Sequence, residues 1–436
     1  MRKYIIISLL TLVTLTGCQI YGKFKPIEPE ADDIPLPTYD QFFTDPQLLR
    51  LIDTALANNN DLKVAHENVR QAEATLLGAK LAYVPSIYLS HSATYGIITE
   101  PIWQYGFAQA SWEIDIFGRL TNRKRMADAA RRQALDYEQA ARTELIAAVA
   151  QTYYSLVTLD ACIEVNDSAI STWRNMVETQ RAMKNVGLSD EAAVAQFEGS
   201  YHAACAYGED LRLKRTQVIN AFGPLLGSVP DNISRLKLSD ARINENLTEV
   251  NLQVVRARPD VRAAERNLEM AFYNNNLAVA NCCPSITLNG SVGLFYGEII
   301  YQAVGSLLQP LFNSGRNIAE VRIAKSQKEA ARCAYEQVLL KAGMEVNNAL
   351  AARQTYFRKT VMLTSQVNAM ERAFDATDTK MHLGGGTYLE VLTAENALIQ
   401  ANFDLINNHG AILQSQVDLY LAMGGGKFVS DDNGKK

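Results

Sequence analysis

Proline is scarce in this 436-residue chain and unevenly placed: its 12 residues leave 102–223 and 311–436 with none. Cysteine is scarcer, and six in such a length exclude a disulfide scaffold. No uninterrupted apolar run approaches the roughly 18 residues of a spanning helix, which excludes a polytopic helical membrane protein. A β-barrel stays open, because alternating strands leave hydropathy low. Charge of one sign is lacking too: the net charge of -5 gives no basic balance for nucleic acid. The five His (66, 91, 202, 382, 409) are scattered, no Ser, Cys or Gly-rich motif has catalytic context, and no Cys pair has a metal spacing. Neither an enzyme nor a metal or cofactor site is expected. What is present is an apolar fraction of 48%, enough for a buried core, in a length that suits two or three domains or one elongated fold.

The N-terminus reads as an address. Arg2 and Lys3 precede an apolar stretch, Ile5 to Val13, followed by Leu15-Thr16-Gly17-Cys18. A basic head, a short apolar centre and small residues describe a secretory signal peptide over 1–17. The Cys after Leu-Thr-Gly resembles the bacterial lipobox, which implies that Cys18 is acylated and becomes the first residue. The other reading is an ordinary signal peptide with a chance Cys. Gln19 stands where the resembled pathway uses Asp to retain lipoproteins in the inner membrane, so the outer membrane is implied. Cys162, Cys205, Cys282, Cys283 and Cys333 remain, and all five read as small apolar residues. The vicinal Cys282-Cys283 is too close in sequence for an ordinary unstrained bridge.

The two Pro-free stretches are rich in good helix formers. Arg119 to Asn185 contains no Gly and ends before Gly187; Arg316 to His382 carries only Gly343 and ends before Gly384-Gly385-Gly386. Each is 67 residues, which predicts a single helix of about 100 Å. Such a helix must pack along its length against others, as in a coiled coil. The helical pattern resumes over 188–222 and 387–423, so each Gly break is the tip of a helical hairpin.

The halves match at a nearly constant offset, the mark of an internal duplication. Asn60-Asp61-Leu62 faces Pro259-Asp260-Val261, Pro85-Ser86-Ile87 faces Pro284-Ser285-Ile286, Gly118-Arg119 faces Gly315-Arg316, and Gly187 faces Gly384. The expected order is a tether over 18–46, a first repeat over 47–223 with a β-hairpin at 85–117, a connector over 224–258, a second repeat over 259–423 with a hairpin at 284–313, and a tail over 424–436. In the hairpins Ile87, Leu89, Ala93, Tyr95 and Ile97 alternate with Ser86, Tyr88, Ser90, Ser92 and Thr94. Ile286, Leu288, Val292, Leu294 and Tyr296 alternate with Ser285, Thr287, Asn289 and Ser291. Period two predicts strands with one wet and one apolar face. Trp103, Tyr105 and Phe107 form a cluster that suits a bilayer interface. Two ordinary hairpins on a soluble core would read the same way. Four strands cannot close a barrel, and open edges do not survive in lipid, so strands that span require copies of the chain.

These features together resemble the outer membrane factor family, the TolC-like exit ducts, and within it the lipoprotein branch serving resistance–nodulation–division efflux systems. The resemblance rests on Trp112-Glu113-Ile114-Asp115-Ile116-Phe117-Gly118-Arg119, on Arg258-Pro259-Asp260-Val261-Arg262-Ala263-Ala264-Glu265, on Gln309-Pro310-Leu311-Phe312-Asn313-Ser314-Gly315-Arg316 and on Leu419-Tyr420-Leu421-Ala422-Met423-Gly424. It implies a mixed α and β membrane protein: a homotrimer with a 12-stranded β-barrel in the outer membrane, continued by a 12-helix periplasmic α-barrel. It implies a passive exit duct for drugs or other small toxic compounds, with a periplasmic adaptor and an inner-membrane pump as partners, outer membrane lipid around the barrel and no nucleic acid.

The resemblance also assigns roles. Val186-Gly187-Leu188 and Leu383-Gly384 match the tips where partners dock, although Gly would serve a plain turn equally. Glu390 takes the first position of an acidic luminal ring and Asp190 lies near the first tip; a solvated surface Glu is the other reading of Glu390. Thr393 stands where some members carry a second carboxylate, Gly386 where some carry a latching Arg, and Ala193 where an Asp is common. Two other functions stay open, a duct for type I protein secretion and a lipid-tethered periplasmic coiled coil with no β content.

Overall fold

The computed structural model describes residues 22–26, 38–94, 102–229, 233–242, 254–295, 298–310 and 313–426. The signal peptide, Cys18, the strand turns before Pro101 and at Gly297, and the tail from residue 427 lie outside the described residues. Element order is α1 (Tyr39–Phe42), α2 (Pro46–Asn58), α3 (Asn60–Leu81), β1 (Ser86–Thr94), β2 (Ile102–Ile114), α4 (Arg119–Asn185), α5 (Glu191–Leu226), a 3-10 turn (Leu238–Asp240), α6 (Val254–Ala257), α7 (Pro259–Ala280), β3 (Ser285–Phe295), β4 (Glu298–Leu308), α8 (Arg316–His382) and α9 (Tyr388–Ala422). The chain divides into two compact units. A sheet unit holds Met1–Asp32, Val64–Glu138 and Pro259–Leu340; a tip unit holds Asp33–Lys63, Gln139–Arg258 and Lys341–Lys436.

In the sheet unit the four strands form one antiparallel meander in the order β1-β2-β3-β4, so a coiled coil without β content is excluded. The register aligns Leu89 with Ala108, Ala108 with Val292, and Val292 with Tyr301. Partners directly opposite share a face. One face therefore carries Ile87, Leu89, Ala110, Trp112, Leu288, Val292, Tyr301 and Leu307, and it is bare: Leu89 is 81% and Tyr301 83% exposed. The opposite face carries the polar side chains of β1 to β3, tied across strands, together with Ile300, Val304 and Leu308 of β4. Ser111 Oγ donates to Asn289 Oδ1 at 2.8 Å, and Thr287 Oγ1 lies 2.7 Å from Ser306 Oγ. Neither outer strand, β1 or β4, has a further partner among the described residues.

The strand-to-helix motif explains itself at the start of α4. Asp115 accepts from the Leu120 and Thr121 amides at 2.9 and 2.8 Å and from Thr121 Oγ1 at 2.6 Å, satisfying N–H groups that a helix start leaves open. Gly118 takes a φ of 70°, and Arg119 Nε donates to Glu113 Oε1 at 2.7 Å. Trp112 Nε1 donates to the Tyr83 carbonyl at 2.9 Å. The second motif is also structural here. Arg262 pairs with Asp136 at 3.0 Å, and buried Glu269 lies between Arg132 (2.8 Å) and Arg266 (3.4 Å). Burial of a carboxylate is tolerable only with such partners. In the tip unit Arg258 reaches Glu345 at 2.7 Å and the Ala422 carbonyl at 3.0 Å.

The structure corrects four expectations. The segment read as a tether over 18–46 includes a helix and core residues: Thr38 caps α1 in a capping box, and Phe42 and Phe43 are fully buried against Tyr420 in the tip unit. In the sheet unit Phe24 meets Phe272 edge to face with centroids 5.8 Å apart. The return helix α5 does not stop before Pro224 but runs to Leu226. Its last carbonyls are captured by Asn59 Nδ2, at 3.2 Å from Pro224 O and 3.1 Å from Leu225 O, so the helix end is satisfied despite the proline. One 18-residue window of α4 is apolar enough to cross a membrane, which a search for unbroken runs passes over; half of it is buried, as in a core helix. Finally, of these five cysteines only Cys162 is buried; Cys333 is exposed on α8, and Cys205, Cys282 and Cys283 are half-buried.

Close contact in the tip unit depends on glycines, Gly410 and Gly425 among them. A Cβ at Gly410 would lie 2.5 Å from Thr158 Oγ1, and one at Gly425 would lie 2.5 Å from Thr143 Oγ1. Below the tips Trp173 and Phe197 pack with Ala169 and Val177, and Tyr388 and Leu392 close over them.

Candidate functional site

Both hairpin tips of the tip unit are built from the same parts. At the first, the Leu188 amide donates to Met183 O at 2.8 Å and the Gly187 amide to Lys184 O at 3.0 Å, with Gly187 at φ 78°. At the second, Gly385 donates to Lys380 O and Gly384 to Met381 O, both at 3.0 Å, with Gly384 at φ 79°. This paired bonding at a left-handed glycine is the Schellman end of a helix. The return helices start alike. Asp190 accepts from the Ala193 amide at 2.8 Å, and Thr387 Oγ1 accepts from the Glu390 amide at 3.3 Å. Asp190 is thus an N-cap, which occupies one of its oxygens with a structural task.

The turns push apolar side chains outward. Val186 and Leu188 are exposed, and Leu383 is 83% exposed. Beside Leu383 an open pocket is lined by Arg372, Asp375, Thr379, Lys380 and Gly385. The second tip thus presents an exposed Leu beside two cations and a carboxylate.

Glu390 does not stand alone. Lys380 Nζ lies 3.0 Å from Glu390 Oε2 and 3.3 Å from Oε1. That hydrogen bond holds the carboxyl below the usual carboxylate range. An exposed pair contributes little to stability, but it offsets the charge an acidic ring would need. Lys184 and Glu191 make the corresponding bridge at the first tip. Sequence reasoning missed both lysines. The signal was there: once the Gly turn folds the hairpin back, residues 380 and 390 sit opposite each other. Thr393 Oγ1 donates to Leu389 O at 2.7 Å and so serves its own helix. At Gly386 a Cβ would lie 2.9 Å from the Met381 amide nitrogen, so this turn has no room for a latching Arg. Between the tips, buried Gln180 accepts from Ser189 Oγ at 2.8 Å and turns its Nε2 toward Met381 Sδ at 3.6 Å.

Glu395, one turn further along α9, is also absent from the sequence reading. It is 5% exposed, and burial, with Asp378 adding to it, pushes its carboxyl from 4.5 to about 7. Among the described residues no group of three or more His, Cys, Asp or Glu could hold a metal ion.

Comparison with known proteins gives a consistent picture. Residues 51–228 and 252–425 both match the family described as outer membrane efflux protein, one match in each half of the duplication. The solvent efflux pump outer membrane protein SrpC of Pseudomonas putida is 28% identical over 422 residues, covering 91% of this chain and 89% of its own. The cation efflux system protein CusC of Escherichia coli (strain K12) is 26% identical over 95% of this chain and 97% of its own. The solved structure of the outer-membrane channel OprN superposes with a TM-score of 0.85 at 23% identity, over 94% of this chain and 99% of that one.

Proposed function

The chain belongs to the outer membrane efflux protein family, and from that premise we propose that three copies of its four-stranded sheet close a twelve-stranded barrel in the outer membrane, with their helices forming an α-barrel in the periplasm. The protein is the outer membrane exit duct of a tripartite efflux pump. It makes and breaks no bond; the pump supplies the energy. Solvents and cations are what the names of two relatives specify, and drugs or other small toxic compounds are the cargo class proposed here.

The observation that carries the trimer is the sheet itself. Its apolar face is continuous across four strands and exposed, and its outer strands have no partner among the described residues. Unpaired strand edges in lipid leave several kcal/mol per group unsatisfied. Copies of the same sheet supply the missing partners. Val186, Leu188 and Leu383 are the proposed contacts for the adaptor, with Gly187 and Gly384 shaping the turns. The Lys380–Glu390 pair argues for a compensated aperture rather than a bare acidic one. Asp190 enters that aperture only as a helix cap.

Deleting the gene is expected to sensitise cells to a panel of toxic compounds, with resistance restored by a plasmid copy. A copy with Leu188→Ser and Leu383→Ser reaches the membrane but fails to restore it; full rescue by that copy removes the tips from partner docking. Cys18 is proposed as the lipid anchor, since several acyl chains at about 0.8 kcal/mol per buried CH₂ hold a protein stably on a membrane. Cys18→Ser abolishes incorporation of labelled palmitate, and a labelled variant refutes the anchor.

A further inference from the structure

Cys282 and Cys283 are the one adjacent pair of thiols in the chain, and the duct has no task for them. They lie in the turn between α7, which ends at Ala280, and β3, which starts at Ser285. Both are free and half-buried, so reagents reach them. Each thiol leans back on the helix end: Cys282 Sγ toward Ala278 O at 3.5 Å, Cys283 Sγ toward Val279 O at 3.9 Å. Thiols are weak donors, so these contacts yield to rotation about χ1. The main chain is held more firmly, by the Cys282 amide to Val279 O and the Cys283 amide to Ala280 O, both 3.0 Å. The turn thus persists while the sulfurs swing.

Burial raises both thiols, Cys282 further through Glu320 and Cys283 further through Cys282. Two consequences follow. The thiols rest protonated, so neither is a reactive monothiol. Cys283 also senses the charge of its neighbour Cys282. A direct disulfide suits them badly. Adjacent Cα atoms stand about 3.8 Å apart, short of the roughly 4.4–6.8 Å that bridged cysteines occupy, and the S–S bond of about 2.05 Å closes a strained ring. A ring with one more atom between the sulfurs lifts that constraint. The atom must be thiophilic and accept two sulfurs on one side.

We propose that Cys282 and Cys283 form a chelating dithiol site for trivalent arsenicals. With an organoarsine oxide the step is a condensation. Two S–H bonds and the As=O bond are replaced by two As–S bonds, and both protons leave with the oxygen as one water. Arsenic stays trivalent and no oxidant or reductant takes part. Cys162, Cys205 and Cys333 have no adjacent thiol in sequence, and a single As–S bond exchanges with any competing monothiol.

The full mature protein, reduced and in detergent, is treated with phenylarsine oxide, washed with excess 2-mercaptoethanol and analysed for arsenic per chain and by intact mass. The expected result is one phenylarsine per chain that survives the monothiol and is removed by 2,3-dimercaptopropanol. Loss of the adduct to the monothiol overturns the proposal without any variant. Cys282→Ser and Cys283→Ser each bring retained arsenic to background, while the combined Cys162→Ser, Cys205→Ser and Cys333→Ser variant keeps it. Retention by either Ser variant, or loss from the combined variant, places the arsenic elsewhere and equally contradicts the site.

Discussion

Val292→Arg is expected to abolish assembly of the folded duct, whereas Ser291→Arg, one residue away, is tolerated. Val292 sits in β3 between Ala108 on one side and Tyr301 on the other, on the bare apolar face with Leu89. Ser291 lies on the opposite face, aligned with Gln109 and Gln302. If the apolar face meets hydrocarbon, an Arg there costs about 2–4 kcal/mol near the bilayer midplane. That corresponds to a loss of roughly 30-fold or more in assembled protein. In water the same substitution on an exposed strand position stays within about 0.5 kcal/mol. Heat-modifiable protein in purified outer membranes is the measurement. Equal behaviour of the two variants means that the apolar face does not touch lipid.

Glu395→Gln is expected to remove most of the pH dependence of stability between pH 4.5 and about 7. The carboxyl of Glu395 is raised from 4.5 to about 7 by burial and by Asp378. For an acid raised on folding, the unfolded chain ionises first as pH rises. Stability is therefore complete below 4.5, declines through the interval and levels off above about 7, where about 3 kcal/mol per chain has been lost. Gln keeps the shape and carries no charge, so this contribution is missing from its curve. Asp378 itself lies 3.5 Å from His382 on the neighbouring turn of α8. Denaturant midpoints of the tip-unit fluorescence at about pH 5 and pH 8 decide it. A variant as pH-dependent as the parent shows that Glu395 is ionised in the fold.

The features legible in the sequence are those that one residue type enforces alone. Gly187 and Gly384 mark the tips because the left-handed turn there admits little else. Arg119 and Arg316 open the long helices because a glycine precedes each and no proline follows within the helix. Period-two alternation gave the strands because one face is bare and the other hydrogen-bonded across its neighbours. The features that stayed hidden need a partner from far along the chain. Pro224 reads as a helix end until Asn59 is known to hold its carbonyl. Phe42 and Phe43 read as tether until Tyr420 covers them. Glu390 reads as a bare acid until the hairpin brings Lys380 back beside it. The repeat offset of 197 could have exposed one such detail, since it maps Asp190 onto Thr387, and both prove to be N-caps.

The number of chains in one detergent-purified particle tests the central claim most directly. Light scattering or native mass spectrometry counts them without reference to any homologue. Three chains per particle, held together until the detergent-stable sheet is denatured, is the predicted result. A monomer that stays dissolved in the absence of detergent contradicts the account, because the outer strands would then need no partner and the apolar face no lipid.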